Sequence, residues 1–404
     1  MISNIESIFS ENVKGMKRST IRELLKLIQD PEIISFAGGL PSPESFPIKE
    51  LQSIITKMME TEAGMALQYG ATEGDMLLRS QLVEVYKNQG FDIDIDNMII
   101  VTASQQALDL VSKVFLNRGD HVICELPSYL GGLQAFNSYS AQMTGVKMDE
   151  EGMSSIDLEE TLVRFQKQNI KPKFIYTIPD FQNPTGVTMS LNRRKEILSL
   201  AKKYNILILE DTPYRELRYE NDHLPTIYSL DNSGYVINLG TFSKIFAPGF
   251  RIGWVIAHKD ICDKIVTAKQ ATDLCTPPFT QRIAARYLEA GYLEPKIFDI
   301  INLYRGKRDV MLEALEEYMP EEVSWTRPEG GLFLFVTCPE KIDTTELFKK
   351  AIQRKVAYVA GSSFYCDETG HNTMRLNFSY STKEKNVEGI KRLSETIKDE
   401  LVRV

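Results

Sequence analysis

Gly240-Thr241-Phe242-Ser243-Lys244-Ile245-Phe246-Ala247-Pro248-Gly249-Phe250-Arg251-Ile252-Gly253-Trp254 lies between two strand-like runs, 235–239 and 251–257. One amine, two hydroxyls and one guanidinium fall between apolar residues, spaced by glycine and proline. That inventory suits a phosphate-bearing aldehyde cofactor. Lys244 can form a Schiff base with the aldehyde. Thr241 and Ser243 can bond phosphate oxygens, and Arg251 can neutralise them with a bidentate pair. Gly249 and Gly253 allow close backbone approach. A basic loop after a strand is the plain alternative, and the rest of the chain has to decide.

Working outward, seven short apolar runs are predicted as strands: 98–102, 121–125, 141–147, 173–178, 206–210, 235–239 and 251–257. Between them, 105–116, 130–139, 156–168 and 191–204 carry helical periodicity; further on, 281–317 reads as helix and 356–361 as a strand, while Gly-Gly and two prolines rule out regular structure over 33–43. β-Branched runs bounded by Gly, Pro, Asn and Asp are typical of strands buried on both faces. Their alternation with helices predicts an α/β fold with a mostly parallel sheet. Ligands of such sheets collect at the carboxyl ends of the strands.

Five of the seven strand ends carry a candidate group. After the first comes Ser104-Gln105-Gln106 at a helix start, where free N–H groups and the dipole favour phosphate; Ser104 can also be a simple cap. After the second comes Tyr129, able to stack on an aromatic ring or to pack as a turn residue. After the fourth, Asn183-Pro184-Thr185-Gly186 forms a turn that presents an amide. After the fifth, Asp211 and Tyr214 follow an apolar run. A carboxylate there is costly to bury without a cation, although Asp211 can also cap a helix. Arg375 sits inside a predicted strand, 373–378, where an unpaired guanidinium is equally costly; a structural ion pair is the alternative.

Taken together, these stations resemble the fold-type I pyridoxal-phosphate-dependent aminotransferases of class I/II, nearest the 2-aminoadipate and kynurenine branch. The likeness spans about residues 19–378. It implies pyridoxal 5′-phosphate as cofactor, with Lys244 as its covalent anchor and general base. Asp211 would hold the ring nitrogen protonated. Asn183 and Tyr214 would bond the phenolic oxygen, and Tyr129 would stack on the ring. Ser104, Gln105, Gln106, Thr241, Ser243 and Arg251 would hold the phosphate. Arg375, with Asn183, would grip the substrate carboxylate. Gly39, in the Gly38-Gly39-Leu40-Pro41 element, would pass beside the substrate. Tyr69, in the Tyr69-Gly70 element, would reach the neighbouring subunit's phosphate, which implies a homodimer with shared sites. Arg22, on a helix expected within 5–29, would swing in to meet a distal carboxylate.

The resemblance also implies a division into an N-terminal segment (1–45), a large cofactor domain with a seven-stranded sheet (46–285) and a smaller α+β domain (286–404). A length of 404 residues fits two domains rather than one core. The implied reaction moves an amino group from an L-amino acid to a 2-oxo acid such as 2-oxoglutarate, with ping-pong kinetics. A β-lyase or decarboxylase on the same fold is the second reading. A cofactor-binding transcription regulator is the third, although the pattern starts within the first 20 residues or so and leaves little room for a DNA-binding unit ahead of it.

Composition narrows the classes. A net charge of −8 argues against a non-specific nucleic-acid binder. The five cysteines contain no Cys-x-x-Cys pair, so a disulfide framework and a metal site are not expected, and the compartment should be reducing. No signal peptide or membrane span is expected, which leaves the cytoplasm.

Overall fold

The computed structural model describes residues 5–14, 16 and 32–403. Arg22 and most of the expected helix over 5–29 lie outside the described residues. Within that range the described part forms a 3-10 turn, Ile5–Ile8, and a four-residue helix, Glu11–Lys14.

The strands in chain order are β1 (Ile34–Ser35), β2 (Met98–Val101), β3 (His121–Leu126), β4 (Gln142–Asp149), β5 (Gly152–Met153), β6 (Phe174–Thr177), β7 (Leu207–Asp211), β8 (Val236–Thr241), β9 (Gly253–Ile256), β10 (Ser324–Trp325), β11 (Phe333–Thr337), β12 (Val356–Ala357), β13 (Val359–Ala360) and β14 (Thr373–Asn377). The large sheet has the order β2-β9-β8-β7-β6-β3-β4-β5. All seven expected strands are in it, joined by the two-residue β5 at one edge. The core pairs from β4 to β8 are parallel, whereas β9 runs antiparallel to both β8 and β2.

The pleat sends alternate residues to opposite faces, and both faces are covered. Val122, Cys124, Phe174, Tyr176, Leu209, Ile237 and Leu239 enter one core cluster. Their strand neighbours Ile123, Ile175, Ile208 and Val236 enter the other. Two of the helices between strands have a local reason to begin or end. Ser154 and Ser190 accept the backbone N–H of Asp157 and Arg193 as N-caps. Asn205, in the left-handed conformation (φ 52°), stops the helix Leu191–Tyr204.

The C-terminal part is α+β. A four-stranded antiparallel sheet, β10-β11-β14-β13, is flanked by the helices Leu293–Tyr318, Thr344–Gln353 and Lys383–Arg403. Three expectations are corrected here. The helical stretch expected over 281–317 is two helices, Pro278–Glu289 and Leu293–Tyr318, parted where Gly291 takes a positive φ of 69°. The single strand expected over 356–361 is two, because β12 pairs with β1 while β13 pairs with β14. The stretch 33–43, expected to be wholly irregular, therefore begins as a strand parallel to β12.

Candidate active site

A cavity of about 540 Å³ opens at the carboxyl ends of β6, β7 and β8. Its wall includes Gly39, Ser104, Gln105, Tyr129, Asn183, Asp211, Tyr214, Thr241, Ser243, Lys244, Arg251 and Arg375. Of the residues expected at the site, the structure brings these twelve together. Gln106 and Tyr69 are not among them, and Arg22 lies outside the described residues.

Asp211 ends β7 and is 1% exposed. Tyr176, from the neighbouring β6, donates its hydroxyl to Asp211 Oδ2 at 3.1 Å. Oδ1 is buried without any hydrogen-bond partner among the described residues. Burial pushes the carboxyl up to about 7, against the lowering pull of the tyrosine. Asp211 caps no helix, so that alternative falls. Tyr176 was missed in the sequence because a tyrosine inside an apolar strand looks like core.

Lys244 follows β8 on a turn that Thr241 holds. Thr241 Oγ1 donates to the Ile252 carbonyl at 2.9 Å and accepts the Ser243 N–H at 3.1 Å. The hydroxyls of Thr241 and Ser243 lie 2.9 Å apart. Thr241 thus spends its proton on the turn, which makes it a scaffold for Ser243 and Lys244. Lys244 Nζ donates to the Gly39 carbonyl at 2.7 Å, the contact that brings the N-terminal segment across the cavity. Burial, then the charges of Arg375 and Arg251, lower its amine to about 8.

Arg375 stands in β14 of the small sheet and is 1% exposed. It donates to Asn183 Oδ1 at 2.9 Å and to the Ala37 carbonyl at 2.8 Å. Its guanidinium lies 4.1 Å from the Phe333 ring centroid and 5.1 Å from that of Phe364. Its Nε has no partner, and no carboxylate of the described residues reaches ion-pair distance. The structural ion pair is therefore excluded among the described residues. Burial lowers this group to about 10, so it stays a cation at neutral pH.

Asn183 also donates to Tyr214 Oη at 3.2 Å. Its turn is held from below by groups the sequence did not announce. Buried Asp180 pairs with Arg194 at 2.7 Å. Gln182 donates to Glu125 at 3.0 Å and to the Pro127 carbonyl at 2.9 Å, and accepts the Thr185 N–H at 2.9 Å.

The opposite wall is the start of the helix Ala103–Phe115. Ala103 takes a left-handed φ of 60°, a costly conformation for a non-glycine residue that clusters at ligand sites. Ser104 Oγ is buried without a partner among the described residues and does not cap the helix. Gln105 donates to the Gly131 carbonyl at 3.0 Å. The Gln106 side chain turns away from the cavity, donating to Asp273 at 2.6 Å and accepting the Thr102 N–H at 2.7 Å. A Cβ on Gly253 would stand 2.8 Å from the Ala103 carbonyl carbon, so β9 and this helix start approach closely only because residue 253 is glycine. Around Gly249, by contrast, nothing lies within 4 Å, and space does not demand a glycine there.

The sequence model of aminotransferase class I and II matches residues 32–393. The chain belongs to the class I and II aminotransferases. An aromatic-amino-acid aminotransferase of Thermococcus litoralis is 50% identical over 98% of this chain and 95% of its own length. A 2-aminoadipate transaminase of Thermus thermophilus is 39% identical, covering 96% of both. The crystal structure of a kynurenine aminotransferase of Pyrococcus horikoshii with PMP superposes with a TM-score of 0.96 at 50% identity, over 99% of each chain. The protein is a transaminase of fold type I, and membership implies pyridoxal phosphate. These relatives favour transamination over the lyase and decarboxylase readings. Among the described residues, no helix is long and apolar enough to cross a membrane, and no cluster of His, Cys, Asp and Glu could hold a metal ion.

Proposed function

We propose that this transaminase holds pyridoxal phosphate between the helix start at Ser104 and the Lys244 turn, and acts on aromatic and other amino acids with a 2-oxo acid as acceptor. One observation carries the reading. Asp211 and Arg375 line the same cavity, buried, and neither has a counterion among the described residues. Burying two such groups costs several kcal/mol each unless something pairs with them. The ligand that satisfies both has a cationic ring nitrogen for Asp211 Oδ1 and a carboxylate for Arg375.

The remaining residues fit the cofactor. Ser104 Oγ is a buried hydroxyl in want of a partner, beside the helix N–H groups and Arg251, which is the composition of a phosphate seat. Pyridoxal phosphate, when bound, supplies an aldehyde that condenses with amines and a protonated ring that withdraws electrons from the substrate's Cα. Asp211 holds the proton of the ring nitrogen. Lys244, an amine already lowered to about 8, takes and returns the proton at Cα. Tyr214 and Asn183 stand as hydrogen-bond donors for the phenolic oxygen, and Arg375 with Asn183 fixes the substrate carboxylate.

Side-chain preference follows from what lines the rest of the cavity. Its only cations among the described residues are Lys244, Arg251 and Arg375, and Leu40, Pro41, Leu130 and Phe333 supply apolar surface. That favours aromatic and aliphatic donors, in keeping with the named activities of the relatives. A distal carboxylate, as in 2-aminoadipate or 2-oxoglutarate, needs a further cation, and we assign that part to Arg22. Tyr69 is 80% exposed and lies outside its own chain's cavity, among exposed Met65, Leu67 and Met76. This supports a homodimer in which Tyr69 serves the neighbouring site. The two domains are taken as 46–285 and 286–404, with 1–45 crossing the cavity mouth, and the cytoplasm as the compartment. A panel of amino donors against 2-oxoglutarate tests the reading. Aromatic donors should lead, and release of ammonia and a 2-oxo acid without any acceptor would overturn it in favour of a lyase.

A further inference from the structure

Two of the five cysteines meet across the two sheets. Cys124 lies in β3 of the large sheet, fully buried, and Cys366 lies half-buried in the turn that follows Gly361–Phe364 of the small-sheet region. Their sulfurs are 3.8 Å apart, with the Cys124 thiol donating to Cys366. They are separated by 242 residues of chain, so no local turn imposes the meeting. We propose that Cys366 and Cys124 form a reversible oxidation site, in which a hydroperoxide converts the two thiols to a disulfide joining the large sheet to the small one.

The geometry divides the work between the two sulfurs. Cys366 is the one solvent can reach. The hydrogen bond from Cys124 also favours its thiolate and holds it below the ordinary thiol range, whereas the same contact and burial push Cys124 well up. The Cys366 thiolate attacks the peroxide O–O bond. This gives a sulfenic acid at Cys366 and releases hydroxide, which takes a proton to become water. The Cys124 thiol then attacks the sulfenic sulfur. The S–S bond forms, the second hydroxide leaves, and the Cys124 proton makes it water. Two thiols and one hydrogen peroxide thus yield one disulfide and two waters, with two electrons passing from the sulfurs to the peroxide. To bond, the sulfurs must close from 3.8 Å to about 2.05 Å.

The position sets what the bond would join. Cys124 stands five residues before Tyr129, and Cys366 two residues after Phe364, which lies against Arg375. The Ser128 N–H already donates to the Phe364 carbonyl at 2.8 Å. The disulfide would add a covalent tie to this seam between the ring side and the carboxylate side of the cavity. Cys262 and Cys338 are buried with no sulfur beside them among the described residues, and Cys275 is half-buried, so Cys275 serves as the internal control.

The test uses the cofactor-loaded protein with one to two equivalents of hydrogen peroxide, quenched by an alkylating agent in denaturant and digested without reduction. The expected product is a cross-linked peptide pair containing residues 124 and 366, lighter by two hydrogens and restored to two free thiols by dithiothreitol, with Cys275 still alkylated. Cys124→Ala should leave a sulfenic acid on Cys366 that dimedone traps, and Cys366→Ser should form no cross-link. Recovery of both thiols alkylated after peroxide would overturn the proposal. So would sulfinic acid on Cys366 with Cys124 free in the wild-type protein, or oxidation of Cys275 first. The wild-type arm stands without either variant, so a folding defect in one of them does not blunt the result.

Discussion

Tyr176 Oη donates to one oxygen of Asp211 at 3.1 Å and leaves the other buried and bare. Without a ligand this carboxylate is held to about 7 in the fold, against an ordinary 3.8. Between those values the native state binds more protons than the unfolded chain. Stability of the cofactor-free protein therefore falls as pH rises from about 4 to about 7, by at most about 1.4 kcal/mol per pH unit from this group. Cofactor-free Asp211→Asn should melt above the wild type at pH 8, and the gap should close towards pH 4. In the loaded enzyme the same substitution should slow Cα-proton removal by orders of magnitude. Equal melting curves across the range would mean that Asp211 is not the strained group.

Tyr176→Phe removes the one contact that lowers the Asp211 carboxyl. A hydrogen bond to a charged group is worth about 1.5–3 kcal/mol, so the acidic limb of the kcat/KM profile should move up by about one to two pH units. An unmoved limb, with only a uniform loss of rate, would reduce Tyr176 to packing.

Lys244→Ala should lose the visible absorbance of the loaded enzyme and lower turnover by about 10²–10⁴-fold or more. The cofactor-free protein offers a second measure. Because Lys244 titrates at about 8, its neutral amine appears as pH rises through that value. Labelling by an amine-selective reagent, read by peptide mapping apart from the α-amine, should show fast modification of the peptide holding residue 244 with a midpoint near pH 8, absent in the variant. Substantial transamination by Lys244→Ala would remove the central assignment.

Arg375→Ala takes a charge-assisted bond from the substrate carboxylate, about 1.5–3 kcal/mol, and should lower kcat/KM by about 10-fold to 150-fold for every donor alike. Arg22→Ala should cause a loss of that size only for donors and acceptors with a distal carboxylate, sparing aromatic donors in single half-reactions. Equal losses for charged and uncharged donors in Arg22→Ala would place distal-carboxylate recognition elsewhere.

Inactive Tyr69→Phe and Lys244→Ala proteins, mixed and allowed to exchange subunits, should regain part of the wild-type rate if Tyr69 serves the neighbouring site. A fully active monomer in sedimentation would end that reading.

Much of the site was legible because five strands of the large sheet carry their groups within a few residues of a Gly, Pro or Asn near the strand end. That punctuation put Asn183, Asp211 and Lys244 at strand ends, and the resemblance to a known family supplied their roles. What stayed hidden lies in contacts between segments far apart in the chain. The Gln106 side chain turns to Asp273, which sequence spacing cannot show. The pairing of Ile34–Ser35 with Val356–Ala357 joins the two ends of the chain and splits a strand that local pattern reads as one. Gln182 and Glu125 support the Asn183 turn through buried polar contacts, whose members have no periodicity to betray them.

The order of the large sheet has a bearing on how the protein is born. β2 is an edge strand, and its only partner in the sheet is β9, with Val101 opposite Gly253. While the ribosome is still making the stretch between those residues, the helix start at Ala103 lacks β9, the strand whose Gly253 it packs against. It gains that contact when β9 emerges and slots between β2 and β8, and by then Lys244 and Arg251 have already been made. A nascent chain halted ahead of Gly253 would therefore hold the parallel strands without the strand that packs against the helix start, and that wall of the cavity would be completed late in synthesis.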